Sequence, residues 1–230
     1  MPSALARLLD STLRRVRRLH PHALVSYAQE GEDLVLARLL EGRTHGFYVD
    51  VGAHHPTRFS NTCIFYGRGW RGINVEPAPK VFGELARQRA RDINLNCGVA
   101  EKPGSLTYYV FDDPALNTFD AALMRDREAS TPYRVVRTVT VAVERLDALL
   151  KTHLPPGQTI DFMSIDVEGF DLQVLRSNDW SAYRPGFVLV EALDFDLAAA
   201  NDHPLDAFMR SQRYALVAKT LNTLFYRERA

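Results

Sequence analysis

Short apolar runs that stop on a carboxylate or a glycine recur along this chain, and stretches of helical period lie between them. Residues 47–51 run into Gly52, 72–76 end on Glu76, 93–99 pass through Asn96-Cys97-Gly98, 160–166 end on Asp166 and 187–191 on Glu191. Runs of this length bounded by Gly or Pro read as buried strands. Apolar residues at helical spacing predict helices over about 29–41, 61–67, 78–90, 144–153, 169–175 and 206–212. Strands separated by helices need crossover connections, so the pattern predicts an α/β fold with a mainly parallel sheet and helices on both faces. Residues 106–111 and 135–143 read as two further strands flanking a polar stretch that holds Asn117-Thr118-Phe119. Residues 214–219 and 223–227 read as a closing antiparallel pair.

With 230 residues, 46% of them hydrophobic, the chain suits one domain with a substantial core. Lys plus Arg balances Asp plus Glu at 28 each, so no global field draws it to nucleic acid. Residues 3–19 set Leu5, Leu8, Leu9, Leu13, Val16 and Leu19 at helical spacing among arginines, before His20-Pro21. This divides the chain into a basic amphipathic leader helix at 1–22 and a domain at 23–230. The leader has two readings, packing on the domain edge or peripheral contact with anionic headgroups. Arginines break the apolar stretch that a signal peptide would need, and no apolar run is long enough to cross a bilayer. Cys63 and Cys97 lack metal-like spacing. A cytoplasmic protein is expected.

In an open α/β sheet, ligands sit beyond the carboxyl ends of the strands. Here those ends carry Asp50, Glu76, Asp166, Glu168 and Glu191. The loop after the first strand lacks the G-x-G-x-x-G that seats a pyrophosphate on a helix N-terminus, so a cofactor without phosphate is expected. A carboxylate ending the second strand can accept both hydrogen bonds of a vicinal diol, which assigns Glu76 to a ribose.

Several motifs then occur in a fixed order: Tyr27-Ala28-Gln29-Glu30-Gly31-Glu32-Asp33, Val49-Asp50-Val51-Gly52-Ala53-His54-His55-Pro56, Ser60-Asn61-Thr62, Gly69-Trp70-Arg71-Gly72-Ile73-Asn74-Val75-Glu76-Pro77, and Ile165-Asp166-Val167-Glu168-Gly169. In these stretches the chain resembles FkbM-type methyltransferases. The resemblance implies a Rossmann-like class I methyltransferase fold, S-adenosylmethionine as donor and an oxygen acceptor, often a hydroxyl of a sugar, glycan or glycosylated metabolite. Alternatives on the same fold are a carboxylate, amine or lipid-linked acceptor, or a catalytically silent binding module.

On this reading, Glu76 meets the ribose and Gln29, Asp50 and Gly52 the amino acid portion of the donor. Cys97, Gly98 and Val99 lie near the adenine, and Ala53, Asn61 and Asp166 complete the cofactor set. An alcohol must lose its proton, and the candidate bases are Asp166, Glu168 and His55, with His54 next. The bland alternatives are a helix cap for Asp166 and loop shaping for the two histidines. Trp70 reads as core and Tyr108-Tyr109 as strand packing. Asp166 and Glu191 are also hard oxygen ligands placed where a magnesium ion could sit. Asp194, Asp196 and His203 read as a solvated loop.

Overall fold

The computed structural model describes residues 22–198 and 203–229. In chain order these form α1 (Glu32–Leu39), β1 (Phe47–Val51), α2 (Cys63–Gly67), β2 (Arg71–Val75), α3 (Pro79–Gln88), β3 (Ile93–Leu95), β4 (Gly98–Val99) and β5 (Gly104–Phe111). A 3-10 turn at Pro114–Leu116 leads into α4 (Ala121–Ser130) and β6 (Val135–Glu144). The remainder is α5 (Leu146–His153), β7 (Phe162–Ile165), α6 (Asp171–Arg176), β8 (Phe187–Glu191), α7 (Pro204–Ser211), β9 (Tyr214–Lys219) and β10 (Thr223–Glu228). The leader expected over 3–19 lies outside the described residues.

Seven strands make the main sheet in the order β3-β2-β1-β7-β8-β10-β9. The five on the β3 side are parallel, and β10 runs antiparallel to both β8 and β9. β1 and β7 are buried along their whole length, which is why they read as largely apolar runs, with Asp50 and Ser164 inside them, and not as alternation. Alternation survives between the faces. Val49, Met163 and Val188 pair across β1, β7 and β8 and pack with Leu146, Leu150 and Val174 of α5 and α6. Tyr48, Phe162 and Phe187 point the other way and pack with Leu36 of α1, Phe65 of α2, and Trp70. Each face thus buries its own apolar row, the mainly parallel sheet with an antiparallel close that the sequence predicts.

Two expectations change. The run 93–99 is two strands, because Asn96 leaves the sheet: its Nδ2 donates to the carbonyls of Glu76 at 2.8 Å and Pro77 at 3.1 Å. β4 then joins β6 and β5 in a separate three-stranded sheet of order β4-β6-β5. α4 was not expected, since its sequence AALMRDREAS carries no continuous apolar stripe. Its start is nevertheless a capped one, with Asp120 Oδ1 accepting from the amides of Ala122 at 2.7 Å and Leu123 at 3.1 Å.

The chain places β2 and β3 on one side of β1 and returns to place β7 and β8 on the other. The strand order therefore reverses between β1 and β7, and at such a switch point the loops diverge and open a crevice.

Candidate active site

A cleft of about 830 Å³, part of it open to solvent, occupies that crevice. The sequence-derived cofactor residues Gln29, Asp50, Gly52, Ala53, Asn61, Glu76, Cys97, Gly98, Val99 and Asp166 all border it. Glu168 and His54 border it too, and the second sheet and its connections add Tyr108, Asn117 and Phe119. Tyr108, read as strand packing, is both: buried, and part of the cleft wall.

The floor is backbone brought close. Gly52 turns the chain after β1 with φ +82°, and a Cβ there would meet the Asp166 carbonyl oxygen at 1.9 Å. Only glycine fits both demands. Its amide and that of Ala53 donate to the Val75 carbonyl, joining the ends of β1 and β2.

Glu76 is buried, and its two carboxylate oxygens accept from the amides of His54 at 2.9 Å and Ala78 at 2.8 Å. Each oxygen keeps a second acceptor site. Burial raises its pKa to about 8, against the lowering by those two amides. Asp50 is fixed from behind. Its Oδ2 accepts from Thr62 Oγ1 at 2.7 Å, and Thr62 Oγ1 accepts from Arg89 at 2.8 Å. Arg89 also donates to Asp92, to Tyr48 Oη and to the Pro56 carbonyl, all inside the protein. Burial raises Asp50 to about 6.

Gln29 reaches the cleft because the loop before α1 is tied down. Asp33 accepts from Ser26 Oγ at 2.6 Å and the Tyr27 amide at 2.8 Å. Glu30 accepts from the amide and side chain of Asn222 in the hairpin between β9 and β10. The acidic motif around Gly31 is therefore a set of tethers.

After β7 the chain carries Asp166 and Glu168 into the cleft. Asp166 Oδ1 is buried with no hydrogen-bond partner, and so is His54 Nε2. Asp166 does not cap α6, whose N-cap is Phe170 with no side-chain cap; Asp171, the first residue of the helix, instead ties down the loop before it, accepting from the amides of Val167 at 3.2 Å and Gly169 at 3.1 Å. Glu168 has φ +54° and is held by two contacts sequence reading missed. Its side chain pairs with Arg127 of α4, and its carbonyl accepts from Thr118 Oγ1 at 2.7 Å. The cap at Asp120 was the one local signal for α4, and nothing local pointed Arg127 at Glu168. Glu191 completes a group, since Asp166, Glu168 and Glu191 each offer an oxygen within 4.8 Å of the others. Burial, then the charge of Glu191, drives the Asp166 pKa up, and burial does the same to Glu191.

His55 stands apart from the cleft. Its Nδ1 accepts from the amides of Thr57 at 3.1 Å and Arg58 at 2.9 Å, and Nε2 lies 3.4 Å from Glu84. The ring shapes the loop, and the candidacy as a base passes to His54. His54 is a neutral side chain at ordinary pH because burial lowers its pKa to about 4. Trp70 is core, as read.

The described residues bordering the cleft include four carboxylates, Asp50, Glu76, Asp166 and Glu168, and no Lys or Arg. Such a wall repels a pyrophosphate and suits a ligand carrying positive charge and hydroxyls. S-adenosylmethionine has both, in its sulfonium, its ammonium and its ribose. Fold and cleft together suit a Rossmann-like S-adenosylmethionine-dependent methyltransferase. A family model described as the methyltransferase FkbM domain matches residues 50–216, and the chain belongs to that family. Among solved structures it is similar to a TehB-like SAM-dependent methyltransferase from Corynebacterium glutamicum, at 8% identity and TM-score 0.41 over 96% of this chain and 97% of that one. It is also similar to fibrillarin from Aeropyrum pernix, solved with natively bound S-adenosyl-L-methionine, at 12% identity and TM-score 0.42 over 84% of this chain and 74% of that one. No curated protein matches the chain.

Proposed function

We propose that this protein transfers a methyl group from S-adenosylmethionine to a hydroxyl of a sugar, glycan or glycosylated metabolite. The observation that carries the proposal is the cleft at the switch point, walled by four carboxylates and, among the described residues, by no Lys or Arg. Glu76 holds the ribose diol, for which its amide-fixed oxygens keep their outer acceptor sites. Asp50, Gly52 and Gln29 take the amino acid portion, with Ala53 and Asn61 beside them. Cys97, Gly98 and Val99, at the start of the second sheet, line the adenine end.

When bound, S-adenosylmethionine supplies an electrophilic methyl on a good leaving group, so orientation provides much of the rate. The chain's own task is to seat the acceptor hydroxyl and receive its proton. Asp166, Glu168 and Glu191 crowd three carboxylates into one half-buried place, so they share protons and one can be ionised beside another that is not. Burial raises the Glu168 pKa, and the paired Arg127 opposes that rise. The member of this group that is ionised receives the proton, and Asp166, with its unpartnered Oδ1, and Glu168 are the two that border the cleft.

The closeness of the same oxygens favours a second reading, in which Asp166 and Glu191 hold a magnesium ion. One experiment addresses both. Calorimetry measures binding of S-adenosylhomocysteine by the full chain, and mass spectrometry follows cell extracts incubated with the protein and donor for a gain of one methyl. Binding with a methylated saccharide product is expected. Absence of binding overturns the donor assignment. Inhibition by a chelator, reversed by magnesium, selects the metal reading.

A further inference from the structure

A second cleft opens beside the first. It is lined by Asp120 and Leu123 at the start of α4, Gly169, Asp171 and Leu172 around the start of α6, Glu191 to Asp194 after β8, and His203 to Leu205 at the start of α7. Glu191 belongs to this cleft, while Asp166 and Glu168 belong to the first, and the three oxygens lie within 4.8 Å of one another. The two clefts therefore meet at this carboxylate group. Resting on the methyltransferase reading above, we propose that the second cleft is the acceptor site, and that it selects acceptors that are uncharged or cationic at their methylated end.

The argument is an inventory of what the wall can offer. Asp171 accepts a backbone amide on each oxygen, and Asp120 Oδ1 caps α4, which leaves these groups only outer acceptor sites. Asp194 Oδ1 is 3.1 Å from His203 Nε2, and His203 Nδ1 is buried with no partner. Glu191 has no side-chain hydrogen bond among the described residues. Carboxylate oxygens only accept while ionised, so a ligand must bring the donors, as hydroxyls or ammonium groups. No Lys or Arg lines the cleft among the described residues. A carboxylate or phosphate on the ligand would therefore face like charge with no Lys or Arg to offset it and only the His203 ring, already beside Asp194, to meet it. Leu123, Leu172, Leu193 and Leu205 supply apolar wall for the C–H face of a sugar ring.

Leu193 is 54% exposed, and the Asp194 side chain is 90% exposed, so substitutions at either can change the cleft without disturbing the core. The test is saturation-transfer NMR on the full chain loaded with S-adenosylhomocysteine. Three probes are used: a methyl glucoside, the corresponding 2-amino-2-deoxy glucoside and a methyl glucuronide. The parent should bind the first two at least about tenfold more tightly than the glucuronide. Leu193→Trp should abolish transfer to both, and Asp194→Lys should admit the glucuronide. Calorimetry should show S-adenosylhomocysteine binding unchanged in both variants. Equal binding of the glucuronide by the parent, transfer that survives Leu193→Trp, or no transfer to any probe overturns the proposal while the donor site stands. Loss of S-adenosylhomocysteine binding by the parent would instead remove the methyltransferase reading beneath it.

Discussion

At the scale of single residues, the cleft depends on carboxylates whose surroundings have been arranged before any ligand arrives. Glu76 is the clearest case, because two backbone amides orient its oxygens. Glu76→Gln keeps the shape but exchanges one acceptor oxygen for a donor. Hydrogen bonds to a charged group contribute about 1.5–3 kcal/mol, so S-adenosylhomocysteine should bind roughly 10- to 100-fold more weakly by calorimetry. Equal affinity in the variant would remove Glu76 from the ribose role. Asp166→Asn and Glu168→Gln should instead leave donor binding nearly intact and slow turnover about 100- to 10,000-fold, the usual range for a general base. Near-normal turnover in both would transfer the proton to His54, whose Nε2 is buried without a partner. The acids themselves were legible in the sequence, because a strand end in an open parallel sheet is a defined place. Their partners were not. Arg127 lies 41 residues from Glu168, and no periodicity or spacing records such a contact. The sequence does not separate His54 from His55 for a similar reason, since adjacent residues in a turn share a sequence context but not a direction.

At the scale of elements, the main sheet was readable and the second sheet was not. β1, β7 and β8 advertise themselves through burial on both faces, as largely apolar runs with an Asp or Glu at or beside their carboxyl ends. β5 and β6 were recognisable as strands, yet nothing in their composition says which sheet they join. That is decided where Asn96 ties the chain to the end of β2 and releases it into β4. α4 escaped because it is held at its ends and by Arg127, which donates to the Leu116 carbonyl and pairs with Glu168, and not by an apolar stripe. The link between β1, α2 and α3 is polar as well. Arg89 at the end of α3 joins Asp92, Tyr48, Thr62 and Pro56, and Thr62 in turn fixes Asp50. Removing one partner of a buried ion pair leaves the other charge uncompensated. Arg89→Met should therefore destabilise the protein by about 3–5 kcal/mol in urea unfolding. A change below about 1 kcal/mol would show that Asp50 and Asp92 are accommodated without it.

At the scale of the whole molecule, the collected carboxylates couple stability to donor binding through protons. Burial raises Glu76 to about 8, Asp50 to about 6 and Asp171 to about 7, each above its ordinary value near 4. For an acid raised in this way the folded state holds a proton that the unfolded chain has already released. Stability is then fullest below the unfolded values and declines as pH rises through the window up to the folded ones. The ligand-free protein should accordingly unfold at a lower temperature at pH 8 than at pH 5.5. Donor binding carries the opposite sign. Ribose hydroxyls and positive charge favour ionised carboxylates, so binding expels the protons that the empty cleft retains, and affinity should rise with pH between about 6 and 8 before levelling off. Calorimetry of S-adenosylhomocysteine at pH 7 in buffers of different ionisation enthalpy measures this directly. The observed heat should vary with the buffer in the direction of proton release, and Glu76→Gln should reduce the dependence. Heats independent of buffer, with an affinity flat across the same pH range, would mean that these carboxylates are already ionised in the free protein, and the cleft would then bind its ligand without the proton exchange that its burial implies.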